Sequence, residues 1–320
     1  NLDIRICSQN VLNTIDMTTA SYYPSMRTLK VLDIVPYLMI LKSDSKEIIE
    51  GIKNLTGLRK LGLTILGFED NMHEFILNSL EKLPCLEEIY LRINTLIPKE
   101  SNKTQGIYES LLKTFDVSNQ ILLKIKSLKL GVLQMAKIQQ FQNFCQKINQ
   151  MKILDNFSLR IDGDHSKLPW DQLQTRILFS CLLSTKLKSL KLSITEASKL
   201  DQESLLYLIW NLEYFQKLEN LNLSIKGLDC LSSLFIIPFS EVLRSLVELK
   251  TLEFCLESCT EGSFTAGELY TFFSSVKNLI KLRVLYIWFG ENFPKKKFEN
   301  YFHLISQLPV ISQVKFDACD

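Results

Sequence analysis

Three histidines, at positions 73, 165 and 303, make up the whole imidazole supply of this 320-residue chain. General acid–base work or metal binding would need such groups brought together at ligand spacing, and these are scattered along the sequence. Asp162-Gly-Asp164-His165 has the look of a cation loop, yet it lacks the spaced carboxylates of a calcium site and reads as a solvated turn. Cysteines stand at 7, 85, 145, 181, 230, 255, 259 and 319 without a CxxC pair. The closest spacing, Cys255-x3-Cys259, has no neighbouring His or Cys to complete a tetrahedron, so free thiols in a reducing compartment are expected. There is no GxGxxG or Walker-type loop to cradle phosphate, no GxSxG elbow, and no Cys set beside an activating His. The expectation is a protein without catalytic, cofactor-binding or metal-binding residues, and not an enzyme.

Composition narrows the class further. The chain is 46% hydrophobic and 22% charged, which excludes intrinsic disorder. Its 37 Lys and Arg against 35 Asp and Glu give a net charge of +2, so nucleic acid is not an expected partner. The longest apolar runs, such as Leu205–Trp210, are too short to span a bilayer. Asn1–Ile6 alternates polar and apolar residues and lacks a continuous apolar run, so no signal peptide is expected. An intracellular, cytoplasmic location follows as the expectation. The first residue is Asn, which suggests a piece of a longer chain.

The elements that would position any site emerge from internal periodicity. Leu58-x-x-Leu61-x-Leu63-x-Ile65 recurs as Leu86/Ile89/Leu91/Ile93 and as Leu218/Leu221/Leu223/Ile225. With Leu61 as position 0, equivalent markers fall at 2, 32, 61, 89, 128, 157, 190, 221, 252, 285 and 314. Each copy alternates at period two, as a short strand with one buried face does. Ahead of each strand, apolar residues at −6, −9 and −12/−13 form one stripe of a 3.6-residue helix. Leu80 and Leu83, or Leu243 and Leu246, are examples. Thr265-x-x-Glu268 has the form of a capping box. The long interval between 89 and 128 predicts a loop over 94–105 and a helix over 106–115.

One strand and one helix per thirty or so residues cannot bury their own apolar faces, whereas stacked copies share a core. The motif resembles the leucine-rich repeat of the long, ribonuclease-inhibitor-like kind. That resemblance implies an α/β leucine-rich-repeat solenoid, a horseshoe with a concave parallel sheet and convex helices, in about eleven repeats. Residues 1–320 would form a single domain. The family's usual Asn or Cys after the second strand leucine is present only as Asn94 and Cys319, which predicts irregular curvature. Neither end carries a polar cap, so further chain or a partner is expected to cover at least one of them.

Function then becomes a question of surfaces. Tyr90, Arg92, Arg160, Tyr286 and Trp288 lie between the buried positions of their strands, and these residue types often carry interface energy. They are the concave candidates. Counting back from each marker, −11, −8 and −15 should face solvent and are mostly polar. Three consecutive helices instead place Phe179 and Trp210 at −11, Leu182 at −8, and Leu206 and Ile237 at −15. A contiguous apolar patch of this kind marks a protein interface. The expected role is a non-catalytic scaffold or adaptor that joins other proteins in a multi-subunit assembly. The alternative is a regulatory leucine-rich-repeat protein, either a ubiquitin-ligase substrate receptor or a GTPase activator.

Overall fold

A computed structural model describes residues 3–6, 31–34, 52–66, 72–94, 119–133, 138–162, 172–195, 202–226, 232–256, 264–290 and 296–317. Cα packing divides the chain into two compact units, Asn1–Ser158 and Leu159–Asp320. The first holds β1 (Asp3–Ile6), β2 (Val31–Ile34), β3 (Lys60–Leu66), β4 (Glu88–Asn94) and β5 (Ser127–Leu133). Its helices are α1 (Met72–Glu81), α2 (Asn119–Leu122) and α3 (Ile138–Gln150). Strand β6 (Asn156–Asp162) spans the division. The second unit holds α4 (Gln172–Leu182), β7 (Ser189–Thr195), α5 (Gln202–Leu212), β8 (Asn220–Ile225), α6 (Ser232–Leu243), β9 (Thr251–Leu256), α7 (Ala266–Lys277) and β10 (Val284–Trp288). Two short helices, α8 (Lys296–Glu299) and α9 (Phe302–Ile305), lead into β11 (Gln313–Asp317).

Within each unit the strands pair in parallel and in chain order, marker on marker: Leu61 lies beside Ile89 and Ile89 beside Leu128, as Leu221 lies beside Leu252 and Leu252 beside Leu285. In β8 and β9 half-buried and buried residues alternate strictly, as period two demands. A parallel ladder of consecutive strands, with a helix between each successive pair from β3 to β11, is the leucine-rich-repeat solenoid the spacing predicts. The loop expected over 94–105 and the helix expected over 106–115 lie outside the described residues, apart from Asn94 itself.

A backbone device recurs at the start of β4, β5, β6, β8, β9, β10 and β11. The carbonyl at −2 accepts two N–H bonds, from −2 and −1 of the next repeat. Arg59 O accepts from Glu87 N at 2.8 Å and Glu88 N at 2.9 Å. In the second unit Lys188 O, Glu219 O, Lys250 O and Arg283 O are forked in the same way, at 2.7 to 3.0 Å. These bonds extend the ladder one residue ahead of each strand and hold the helix-to-strand turns side by side. The turns themselves repeat: the N–H at −6 bonds the carbonyl at −9, and that at −3 bonds the carbonyl at −6, as in Phe215 N to Leu212 O and Leu218 N to Phe215 O.

The interior of the second unit is rich in stacked rings. Phe254 is fully buried, with Phe239 at 4.6 Å, Phe272 at 5.5 Å and Phe289 at 5.9 Å between ring centroids. Phe289 continues to Phe298 at 5.5 Å, and Phe298 to Phe316 at 4.8 Å. The expected capping box is formed: Thr265 Oγ1 accepts from Glu268 N at 3.2 Å, and Thr265 N donates to Glu268 Oε2 at 2.6 Å. Phe254→Ala removes the ring at the centre of this cluster, and the loss expected in urea unfolding is about 4 kcal/mol. Thr265→Ala at the exposed cap is expected to cost about 1 kcal/mol in the same measurement.

Candidate functional site

The outer face of α5 turns apolar side chains to solvent. Leu208, Ile209 and Leu212 turn inward and are buried, which places Leu206, Tyr207 and Trp210 on the other side. Trp210 is 52% exposed, and Tyr214, one helical turn beyond it, is 67% exposed. Leu206 and Tyr207 are half-buried, and Arg176 of α4 lies over the Tyr207 ring at 5.0 Å from its centroid. This stacking fixes a guanidinium next to the aromatic face. Ile237 on α6 is half-buried, and Leu173 on α4 and Tyr270 on α7 are exposed. Three of the expected positions, Leu206, Trp210 and Ile237, therefore reach solvent.

Phe179 and Leu182 do not. Both are fully buried, and the Phe179 ring sits 5.9 Å from that of Phe215. The correction has a physical reason. In the repeats of α5, α6 and α7, six residues separate the last inward residue of the helix from the inward leucine at −3: Leu212 to Leu218, Leu243 to Leu249, Val276 to Leu282. After α4 only five separate Leu182 from Leu187. One residue is missing from the turn, so positions counted back from the strand are shifted by one on the helix, which is 100° of rotation. The inward leucine at −6 is replaced by Ser184, and the turn closes instead through hydroxyls: Ser184 Oγ donates to Cys181 O at 2.8 Å and Thr185 Oγ1 to Leu182 O at 2.6 Å. Ser184 at −6 was the sequence signal of that shift. Tyr214 was missed because it lies beyond the helix end, although the i, i+4 spacing Leu206–Trp210–Tyr214 announces it.

The sheet face turned away from the helices carries the second set. Tyr90 on β4 is half-buried, between Gly62 of β3 and Lys129 of β5 in register. Arg92 lies on the same strand, and its side chain falls outside the described residues. Arg160 on β6 is exposed. On β10 all three outward residues, Val284, Tyr286 and Trp288, are half-buried, an apolar stripe between Thr251/Glu253/Cys255 of β9 and Gln313/Lys315/Asp317 of β11. Lys315 Nζ lies 5.1 Å from the Tyr286 ring centroid, and Asn222 Nδ2 donates to Glu253 Oε2. The structure thus brings Tyr286 and Trp288 together, one strand pitch apart, and it leaves Tyr90 in the other unit.

A charged edge completes the solvent-facing surfaces. Lys60 pairs with Glu88 at 2.7 Å and Lys126 with Glu87 at 3.1 Å in the first unit. In the second, Lys250 pairs with Glu219 at 2.7 Å and Lys281 with Glu248 at 2.6 Å. The hydrogen bond from Lys250 holds the Glu219 carboxyl below its ordinary value against the opposing effect of burial, with lesser help from the positive charges of Lys250, Lys188 and Lys281. Glu219 is therefore ionised throughout the neutral range. Among the described residues no group of His, Cys, Asp and Glu is arranged to hold a metal ion, and no helix is long and apolar enough to cross a membrane. His165 lies outside the described residues.

No protein-family model matches the sequence, and no curated protein matches it. Solved structures similar in fold include a chain of the yeast Rad7 and Elc1 complex, at 14% identity and TM-score 0.37, covering 95% of this chain and 84% of that one. An internalin C2 from Listeria monocytogenes str. 4b F2365 matches at 12% identity and TM-score 0.32, covering 84% and 83%. An internalin (InlF) from the same strain matches at 13% and 0.30, covering 83% of each chain.

Burial sorts the apolar residues on α4 and α5 by consequence. Phe179→Ala is expected to lower unfolding stability by about 4 kcal/mol. Trp210→Ala, on the exposed side, is expected to change it by less than about 0.5 kcal/mol in the same denaturation series.

Proposed function

Given strand–helix coils of the leucine-rich-repeat type, we propose that the chain is a non-catalytic interaction scaffold or adaptor that holds other proteins in a multi-subunit assembly. The observation that carries this is the aromatic and aliphatic run Leu206–Trp210–Tyr214, in which Trp210 and Tyr214 are more than half exposed. Apolar side chains clustered on an otherwise polar helix face gain most when a partner removes them from water. Ile237 extends this surface onto α6. Tyr286 and Trp288, with Tyr90, Arg92 and Arg160, form the second proposed set on the sheet face. The proposed setting is intracellular and cytoplasmic, with proteins rather than nucleic acid as partners and without a cofactor.

The test is site-specific photocrosslinking in native extract, with a benzophenone side chain at 210 or at 288. A defined protein adduct at 210, lost when Tyr214→Glu is added, is the expected result. Adducts at neither position would overturn the reading. The regulatory alternative, a substrate receptor or a GTPase activator, predicts ubiquitin transfer to the adduct or faster phosphate release from a bound GTPase, and the scaffold reading expects neither.

The same proposal takes residues 1–320 as a single solenoid domain. Urea unfolding followed by far-UV circular dichroism and by tryptophan fluorescence is then expected to give coincident transitions. Two separated transitions would divide the domain.

A further inference from the structure

The edge where helices turn into strands differs in charge between the two units at identical repeat positions. In the first, positions −4 and −2 carry Lys30, Arg59, Lys124 and Lys126 with Glu87 and Asp155, four cations to two carboxylates. In the second, Lys186, Lys188, Lys217, Lys250, Lys281 and Arg283 face only Glu219 and Glu248, six cations against two carboxylates, while the whole chain carries +2. Both carboxylates are already occupied by Lys250 and Lys281. Lys186, Lys217 and Arg283 are exposed, and no ion pair engages them among the described residues. The forked carbonyls of Lys188, Glu219, Lys250 and Arg283 set these turns next to one another, at about 4.8 Å per repeat. Position −5 of the same turns adds exposed aliphatic side chains: Val247 is 48% and Ile280 60% exposed.

We infer that this edge, through Lys186, Lys188, Lys217, Arg283, Val247 and Ile280, docks an acidic protein segment that carries apolar side chains at intervals. Charge complementarity selects the occupant. Unmatched lysines in a row steer and hold carboxylates, and Val247 and Ile280 supply the apolar contact that a polyanion alone would not use. Nucleic acid fits less well, because bases need aromatic platforms and this edge offers aliphatic ones. An anionic membrane surface is the other polyanionic partner, and the vesicle measurement below separates it. The inference goes beyond the scaffold reading, since it names a surface and a partner chemistry that do not involve Trp210.

The experiment uses the full 320-residue chain and fluorescence anisotropy with a labelled synthetic peptide of acidic pairs separated by leucines. Its leucine-to-serine analogue, an oligothymidylate of equal charge and phosphatidylserine vesicles are measured alongside. Saturable binding of the leucine peptide is expected, weakened about tenfold by combined Lys186→Glu, Lys217→Glu and Arg283→Glu and partially by Lys217→Gln alone. Ile280→Ser is expected to weaken it about threefold, to the level of the serine analogue. Trp210→Glu should leave it unchanged, so that failure here and failure of the outer-helix surface are separately visible. Equal binding by the charge-reversed and parent proteins, absence of binding by the parent, or tighter binding of oligothymidylate or vesicles would each overturn the inference.

Discussion

A strand and a helix of some thirty residues enclose too little volume to shield their own apolar ladder, so every coil depends on the coil beside it. The burial values follow this dependence. Leu221, Leu252 and Leu285, with strands paired on both sides, are fully buried, whereas Val314 at the same position of β11 is 40% exposed. The forked carbonyls at −2 act in the same direction. They satisfy two backbone donors per repeat that would otherwise lie unpaired at the mouth of the turn. Stability is therefore assembled from contacts between neighbours, and the faces left over are free to vary.

That freedom explains where the unusual side chains lie. In the second unit the interior is filled with stacked phenylalanines, and aromatic side chains also stand outward, among them Trp210 and Tyr214 on one helix face and Tyr286 and Trp288 on one strand. Many of the other outward positions carry Lys, Glu, Ser and Asn, which cost the fold nothing and keep the sheet and helices wetted. Rings held outward by a rigid coil lose little entropy on contact with another protein, since the backbone beneath them is already fixed.

Periodicity made the solenoid legible, because each strand must repeat its inward residues at the same spacing for its neighbour to cover them. The capping box was legible too, since Thr265 and Glu268 satisfy each other's backbone locally and need no tertiary context. The outer helix face was read only in part. Strand register was carried across a turn as if every turn had one length, and the five-residue step from Leu182 to Leu187 breaks that assumption. Helical phase is lost at 100° per deleted residue, so a single missing residue exchanges inside for outside. Trp210 escaped the error because its own turn has the usual six. The charged edge was not read at all, because its meaning lies between repeats: Lys250 and Glu219 are 31 positions apart and meet only when their coils stack.

The forked carbonyl also writes a rule into the chain's permissible substitutions. Where the fork is made, residues at −2 and −1 must both keep an amide hydrogen, so an imino acid is barred from that two-residue window whatever the side chain's exposure. The eight prolines obey it: Pro84 and Pro309 stand at −5, three positions ahead of the window, Pro238 sits within a helix, and none falls inside. A lineage of such proteins can therefore drift widely in surface chemistry at these two sites, from arginine to glutamate to serine, while the cyclic residue stays excluded.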